Sequence, residues 1–327
     1  MSRTLQQRII KSKATFPVTV IISLLLWLTG VLWPLEGDTV LAGWWGMASC
    51  PVWLVEGGSL MLCLLAMFLL VQLNNAFLLV GHRSTLHTSF FLLLWSSMPA
   101  FSHSLGGNLF FVSLAACIFL LFHAYQGGMP VGEIFFLFSF LGMGSLVEMP
   151  VLYLIPLLYA GLYAFRVLNT RTFCAGLLGL LLPYWILFTY AFCADEMALF
   201  GVWWQALGQL LVWDYAGISL SGWLLVGYLI LLFLYCVSYV AINGRRYKIR
   251  TRLFLLFLTW WTFGGLLLWM LLPLAWDTLV AIPLLGVSLL AGHTFANSST
   301  RMSNLVFLSM SVCLMLMSVY NCVWTLW

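Results

Sequence analysis

The chain has 327 residues, of which 64% are hydrophobic and 7% carry a charge. Charged residues make up about 25% of soluble globular domains, so this composition excludes a soluble globule and indicates an integral membrane protein. The formal net charge of +4 comes from short basic runs beside hydrophobic segments. That pattern favours contact with anionic lipid and argues against a nucleic-acid-binding face. We therefore expect the lipid bilayer as the main partner and no nucleic acid.

Eleven hydrophobic segments follow one another along the chain. They occupy residues 17–35, 57–80, 88–101, 108–126, 133–147, 150–166, 172–192, 219–243, 253–275, 278–296 and 303–325. A helix needs about 20 apolar residues to cross the hydrocarbon core; most segments meet this, while the third, fifth and sixth are short. The sequence therefore predicts an all-α, polytopic transmembrane helical bundle of about eleven crossings. Residues 1–327 form a single integral membrane domain in this interpretation.

This threading sorts the charges between the two membrane faces. All 13 Lys and Arg residues fall on one face and eight of the nine acidic residues fall on the other, with Glu133 as the exception. Cytoplasmic loops carry the Lys and Arg excess, so the basic face is the inner one. We therefore predict a multi-pass protein of the bacterial inner membrane, with its N-terminus inside and its C-terminus outside.

The densest basic run lies in the predicted inner loop between the eighth and ninth segments. It consists of Arg245, Arg246, Lys248, Arg250 and Arg252. Each basic residue near an anionic membrane surface contributes roughly 1 kcal/mol of attraction. We therefore expect this run to bind anionic lipid.

The stretch 197–213 is long enough for a further crossing. A crossing there would move the basic run at 245–252 to the outer face and reverse the charge sorting. We therefore predict an interfacial helix near 197–213, where Trp203, Trp204 and Trp213 would lie at the depth of the lipid headgroups.

Segment 133–166 is predicted to break at Pro150, which follows Glu148 inside a long apolar run. Proline removes a backbone donor and its ring clashes with the preceding helical turn. Two short helices result, either antiparallel or re-entrant. Broken helices at membrane depth persist only where protein or water satisfies the freed backbone groups, so residues 142–150 are a candidate for a wet cavity.

Three carboxylates on the predicted outer side are candidate catalytic residues, namely Asp38, Glu36 and Glu148. Glu36 and Asp38 directly follow the first span, and Glu148 precedes the helix-breaking proline. A carboxylate at the membrane surface can act as a general base toward a hydroxyl, and one inside a membrane needs a partner or water. The alternative is that these residues are ordinary acidic loops and helix ends, as the charge asymmetry alone predicts.

The histidines do not predict a metal site. His82 and His87 are five residues apart, whereas two ligands on one helical face need a spacing of four. We therefore assign no metal-ligating or cofactor-binding residues, and the sequence leaves any cofactor unknown.

Parts of the chain resemble an uncharacterised multi-pass inner-membrane protein family of Bacteroidota. The resemblance rests on Leu73-Asn74-Asn75, on the loop with His82 and Arg83, on GMGSLVEMPVLYLIP and on LLPLAWDTLVAIPLL. It covers most of the chain and implies no assigned activity.

A second resemblance points to a known chemistry. The passage from Gly142-Met-Gly144 through Pro150 and Pro156, then Arg166 and Arg171, then Gly179 and Pro183 is similar to one in C-type glycosyltransferases. These polytopic enzymes use polyprenyl-phosphate sugars. The resemblance implies an inside N-terminus, a lipid-linked substrate and catalytic acidic residues in the first outer loop, where Glu36 and Asp38 lie. The chain departs from the pattern because its threading leaves no outer Lys or Arg to hold a lipid phosphate, and only His103 is available.

Three functions remain open. A glycosyltransferase-like role in cell-envelope glycan or lipid assembly is favoured by the outer carboxylates, and it requires Glu36 or Asp38 near Glu148 around an outer cavity. A non-catalytic subunit or scaffold, binding a membrane-protein partner, is favoured by the missing outer cations. A small-solute permease is favoured by the broken segment at 133–166.

Overall fold

The computed structural model describes residues 6, 9, 12, 14–32, 52–79, 84–125, 130–195, 197, 215, 218–298 and 300–324. Across these residues the regular structure consists of α-helices and short 3-10 helices. The α-helices, in chain order, are α1 (Thr15–Leu32), α2 (Val52–Phe77), α3 (Leu86–Ser96), α4 (Pro99–Ser102), α5 (Leu105–Ala124), α6 (Val131–Val147), α7 (Ile155–Ala164), α8 (Thr170–Cys193), α9 (Leu220–Asn243), α10 (Ile249–Leu271), α11 (Trp276–Leu279), α12 (Ala281–Asn297) and α13 (Arg301–Trp324). The three 3-10 helices are Met149–Leu154, Gly244–Arg246 and Pro273–Ala275.

Seven of the described helical stretches are long and apolar enough to cross a membrane, and four shorter apolar ones accompany them. Each of the eleven segments expected from the sequence coincides with one of these helical stretches. The all-α architecture is therefore confirmed for the described residues, and their apolar helices are compatible with a multi-pass membrane protein. The number of crossings and the orientation in the membrane stay predictions.

Contacts between helix ends divide the bundle into two ends. At one end, the Asn108 side chain at the start of α5 donates to Ser59 of α2 and accepts from Trp95 of α3. At the same end Asn321 of α13 donates to the Ser97 carbonyl. This end also carries Glu56 and the residue that follows α6, Glu148, and we call it the acidic end.

The opposite end carries the described basic residues. The side chain of Gln6 donates to the Phe295 carbonyl near the end of α12, and its backbone N–H donates to Asn304 near the start of α13. Arg250, at the start of α10, donates to the Phe77 carbonyl at the end of α2. We call this the basic end. Glu133 lies here, 3.8 Å from His123, so the one acidic residue on the predicted inner face has a basic neighbour.

The predicted break before Pro150 is confirmed. Helix α6 ends at Val147, and Glu148 adopts an extended backbone with φ −136° and ψ 103° before the 3-10 helix 149–154 begins. In a continued α-helix the Pro150 ring would clash with the preceding turn. The carbonyl four residues earlier would also lack a donor, because proline has no N–H.

The chain then returns toward the basic end. Phe165, after α7, has its ring 5.5 Å from the rings of Tyr125, after α5, and Phe254, near the start of α10. Six 3-10 residues at about 2.0 Å each and ten α-helical residues at about 1.5 Å each cover about 27 Å. That length approaches the ~30 Å hydrocarbon core, so the 3-10 stretch extends the reach of a 16-residue segment.

Helices α6 and α8 run parallel in close contact. Gly176 of α8 lies against Phe138 of α6, and further along both helices Tyr184 is hydrogen-bonded to Ser145 over 2.7 Å. A Cβ at Gly179 would lie 2.1 Å from the Phe135 carbonyl oxygen. Small residues allow membrane helices this approach, so α8 depends on its glycines for packing.

The core surrounds α3 and α12. Every residue of α3 is buried, and so is α12 from Ala281 to Phe295. Because α3 is enclosed by protein, its 11 residues do not need to match the thickness of the bilayer. The predicted interfacial helix near 197–213 lies outside the described residues, except for Met197.

Candidate functional site

Glu148 is the predicted site residue that the structure describes. Its carboxylate oxygen Oε1 accepts a 2.6 Å hydrogen bond from the hydroxyl of Thr278. Its backbone N–H donates to the Gly144 carbonyl and so closes the last turn of α6. The extended backbone of Glu148 therefore turns the chain at a point where the side chain meets α11.

Helix α11 is held in place by two tryptophans. Nε1 of Trp269, near the end of α10, donates to the Trp276 carbonyl over 2.8 Å, and the two rings lie 4.5 Å apart. Thr278, two residues further on, is 2% exposed. The donor to Glu148 is thus fixed by an aromatic pair, as a preorganised site requires.

The electrostatics of Glu148 differ from those of a surface carboxylate. Burial between α6 and α11 raises the pKa of the Glu148 carboxyl well above its usual range, and the Thr278 hydrogen bond partly offsets that rise. A carboxyl group shifted in this way can accept and return a proton near neutral pH, which general acid-base catalysis uses.

Gly142 and Gly144, just before Glu148, pack against protein. A Cβ at Gly142 would lie 2.9 Å from the Leu180 carbonyl oxygen, and one at Gly144 would lie 2.6 Å from Oγ of Ser113. Helix α8 therefore lies close to Gly142, and helix α5 lies close to Gly144. The predicted wet cavity along residues 142–150 stays a prediction.

Glu36 and Asp38 lie outside the described residues. Their predicted proximity to Glu148 stays a prediction.

A second acidic residue at the same end contacts a histidine. Oε2 of Glu56 lies 2.7 Å from Nδ1 of His103, and each side chain is 17% exposed. The indole of Trp27 stacks on the His103 ring, with 5.7 Å between centroids. The sequence left His103 as the available outer group for a lipid phosphate. In the structure its imidazole already contacts the Glu56 carboxylate.

A buried polar network lies beside this pair. Asn108, 2% exposed, accepts from Nε1 of Trp95 and donates to the Ser59 hydroxyl and to the Ser104 carbonyl. Ser59 in turn donates to the Ser102 carbonyl. Sequence reasoning missed this network because its members are single polar residues in separate apolar segments.

The two carboxylate pairs meet the same small helices. Helix α11, which carries Thr278, contacts α4 and α5. His103 directly follows α4. The Glu148–Thr278 and Glu56–His103 pairs therefore lie at one end of the bundle, on either side of the α4–α11 contact.

The basic end contains two buried histidines, one on α3 and one on α12. Nε2 of His87 donates to the Leu70 carbonyl over 2.9 Å, and Nδ1 of His293 donates to the Leu79 carbonyl over 2.6 Å. These bonds assign the tautomers, so Nδ1 of His87 and Nε2 of His293 are acceptors, and neither has a partner among the described residues. Both rings are 1% exposed.

The basic run at 245–252 is mostly exposed. Arg245, Arg246, Lys248 and Arg252 are exposed, and Arg250 is half-buried against the end of α2. Four of the five side chains are thus free of the protein core, which suits contact with a membrane surface.

Comparison of the chain with models of protein families, with curated proteins and with solved structures found no match in any of the three.

Proposed function

We propose that this multi-pass protein belongs to the bacterial inner membrane and takes part in cell-envelope glycan or lipid assembly, with glycosyltransferase-like chemistry at the acidic end. The observation that carries the proposal is the Glu148 carboxylate, partly buried and held by the Thr278 hydroxyl. The resemblance to C-type glycosyltransferases supports a lipid-linked substrate, although a resemblance of fold or motif supports activity only by association.

In this proposal Glu148 acts as a general base. It takes the proton of an acceptor hydroxyl while that oxygen attacks the anomeric carbon of a sugar and the bond to the lipid phosphate breaks. The phosphate leaves with the bonding electron pair. Thr278 donates a hydrogen bond to Oε1 and so positions the carboxylate, whose negative charge falls as it takes the proton. Glu36 and Asp38 are proposed to act at the same end.

The second candidate is a non-catalytic subunit or scaffold. It is favoured by the Glu56–His103 pair. His103 is the outer side chain that the sequence offers to a lipid phosphate, and Glu56 already occupies its Nδ1. The polar network of Asn108 likewise satisfies its groups within the protein. A scaffold would use the acidic end to hold α4 and α11 for a membrane partner.

Complementation in the source bacterium tests the choice. A strain lacking the gene receives Glu148→Gln, which keeps the size of the side chain and removes its charge, or Glu133→Gln as a matched control at the basic end. Mass spectrometry of lipid-linked sugars gives the chemical readout. The enzyme proposal expects Glu148→Gln to accumulate the lipid-linked donor at normal expression, and Glu133→Gln to behave as wild type. Full complementation and an unchanged lipid profile in Glu148→Gln would remove the catalytic role and leave the scaffold.

A further inference from the structure

A cavity of about 580 Å³ opens between α1, α3 and α13. Its deep wall is formed by Ser89, Phe90 and Leu93 of α3, each less than 10% exposed. Val18 of α1 and Val312 of α13 also line it and are 48% and 55% exposed, so they mark its mouth. The mouth faces sideways between α1 and α13, on the side where a bilayer around the bundle would lie.

The length of the cavity is close to the thickness of the hydrocarbon layer of one leaflet. Along α13 it extends from Phe307 to Met315, a rise of about 12 Å at 1.5 Å per residue. Half of the hydrocarbon core is about 15 Å thick. Its lining is almost entirely apolar, and the Thr19 hydroxyl on one wall donates to Ser89 on another. An elongated hydrocarbon ligand fits this shape better than a polar solute does.

The cavity lies in the half of the bundle that belongs to the basic end. Arg301 begins α13, six residues before Phe307, which places it about 9 Å further toward the basic end. Its side chain is exposed. A lipid whose chain occupied the cavity would therefore present its headgroup near a cation, which favours an anionic headgroup.

We propose that this cavity binds one acyl chain of an anionic glycerophospholipid, with the headgroup beside Arg301. The chain lies between α1 and α13 and contacts α3. This is a specific lipid site, separate from the acidic end and independent of any reaction there. Because the chain is already in hydrocarbon when it lies in the bilayer, its preference for the cavity comes from packing against the cavity walls and from the headgroup contact.

Photocrosslinking tests the site. The purified protein is placed in phosphatidylethanolamine vesicles with a trace of phosphatidylglycerol that carries a diazirine on one acyl chain, and labelled peptides are mapped. Because α3 is enclosed by protein, label on residues 86–93 reports a chain inside the cavity. We expect that label in the wild type. Label confined to exposed residues of α1 and α13 would overturn the proposal.

Two substitutions sharpen the result. Val312→Trp fills the mouth and is expected to abolish labelling of α3. Val319→Trp is the matched control, because Val319 is two turns along the same face of α13, is 52% exposed and does not line the cavity. Undiminished α3 labelling in Val312→Trp, or equal losses in both variants, would contradict a chain in this cavity.

A second comparison, between two lipids with the same chain, tests the headgroup preference. The same diazirine chain on phosphatidylcholine is expected to label α3 about fivefold less than on phosphatidylglycerol, which corresponds to roughly 1 kcal/mol for one basic residue near the surface. Arg301→Gln should remove that difference and keep the labelling. Equal labelling by the two lipids in the wild type would overturn the assignment of an anionic headgroup.

Discussion

Gly292 of α12 packs directly on the backbone of His87 in α3. A Cβ at position 292 would lie 2.5 Å from the His87 Cβ, 2.6 Å from its Cα and 2.8 Å from its backbone nitrogen. The glycine therefore sets how closely the two most buried helices approach. This contact also brings the two buried histidines into one region, because His293 is the next residue of α12.

Gly292→Ala should destabilise the protein. The atoms that the new methyl group meets are backbone and Cβ atoms, which cannot turn aside as a flexible side chain can, so overpacking should cost about 1–3 kcal/mol. The measurement is the Tm of the purified protein in detergent. Gly227→Ala in α9 is the control, since a Cβ there has no neighbour within 4 Å, and it should leave Tm unchanged or raise it. Equal Tm values for Gly292→Ala and wild type would contradict the close packing.

His293→Leu should loosen the end of α2. The imidazole Nδ1 is the donor to the Leu79 carbonyl, and the preceding residue, Leu78, has a left-handed backbone with φ 49°. Loss of this hydrogen bond leaves a carbonyl without its donor, at a cost of about 1–3 kcal/mol where the group is buried. Hydrogen exchange followed by mass spectrometry should show faster exchange of the amides at 77–79.

A control for the histidine experiment is His123→Leu, because the side chain of His123 is half exposed. Exchange at 77–79 should be unchanged in that variant. If His293→Leu leaves exchange at 77–79 as in the wild type, Leu79 is held by other contacts and the prediction is wrong.

Local features of the chain were predictable. Pro150 stops a helix through its own ring and its missing N–H, so the break after Val147 follows from the residue itself. The helical segments follow from runs of apolar residues, since a backbone in lipid must satisfy its hydrogen bonds internally. The separation of the described charges into an acidic and a basic end follows from the alternation of the same segments.

Contacts between distant segments were not predictable in the same way. The sequence allowed His87 to be compared only with His82, five residues away. In the structure His87 instead packs against Gly292 of α12. Asn108 looked like a lone polar residue in an apolar segment until α2 and α3 supplied its partners. Thr278 gave no sign that it donates to Glu148, 130 residues earlier in the chain. Such partners depend on packing, which a single sequence does not encode in any local pattern.

The orientation of the bundle can be tested by cysteine labelling in intact cells and in inverted membrane vesicles. In a variant without the eight native cysteines, Lys248→Cys should react only from the cytoplasmic side, because Lys and Arg accumulate in cytoplasmic loops. Asp195→Cys, after α8, should react only from outside. The same side for both positions would contradict the two-ended arrangement, and exchanged sides would mean that the N-terminus is outside.

Glu148 should make the stability of the wild type depend on pH. Burial raises the pKa of its carboxyl, so above the ordinary carboxyl pKa of about 4.3 the folded state holds a proton that the unfolded state has released. Stability therefore falls as pH rises from about 4.3 through the raised pKa, and it is constant with respect to this group above that value. The measurement is Tm across this pH range in detergent. Glu148→Gln, which has no proton to lose, should flatten that part of the profile, while Glu133→Gln should keep the wild-type slope. A fall in Tm of the same size in Glu148→Gln would assign the pH dependence to another group and would remove the buried carboxyl from the site's chemistry.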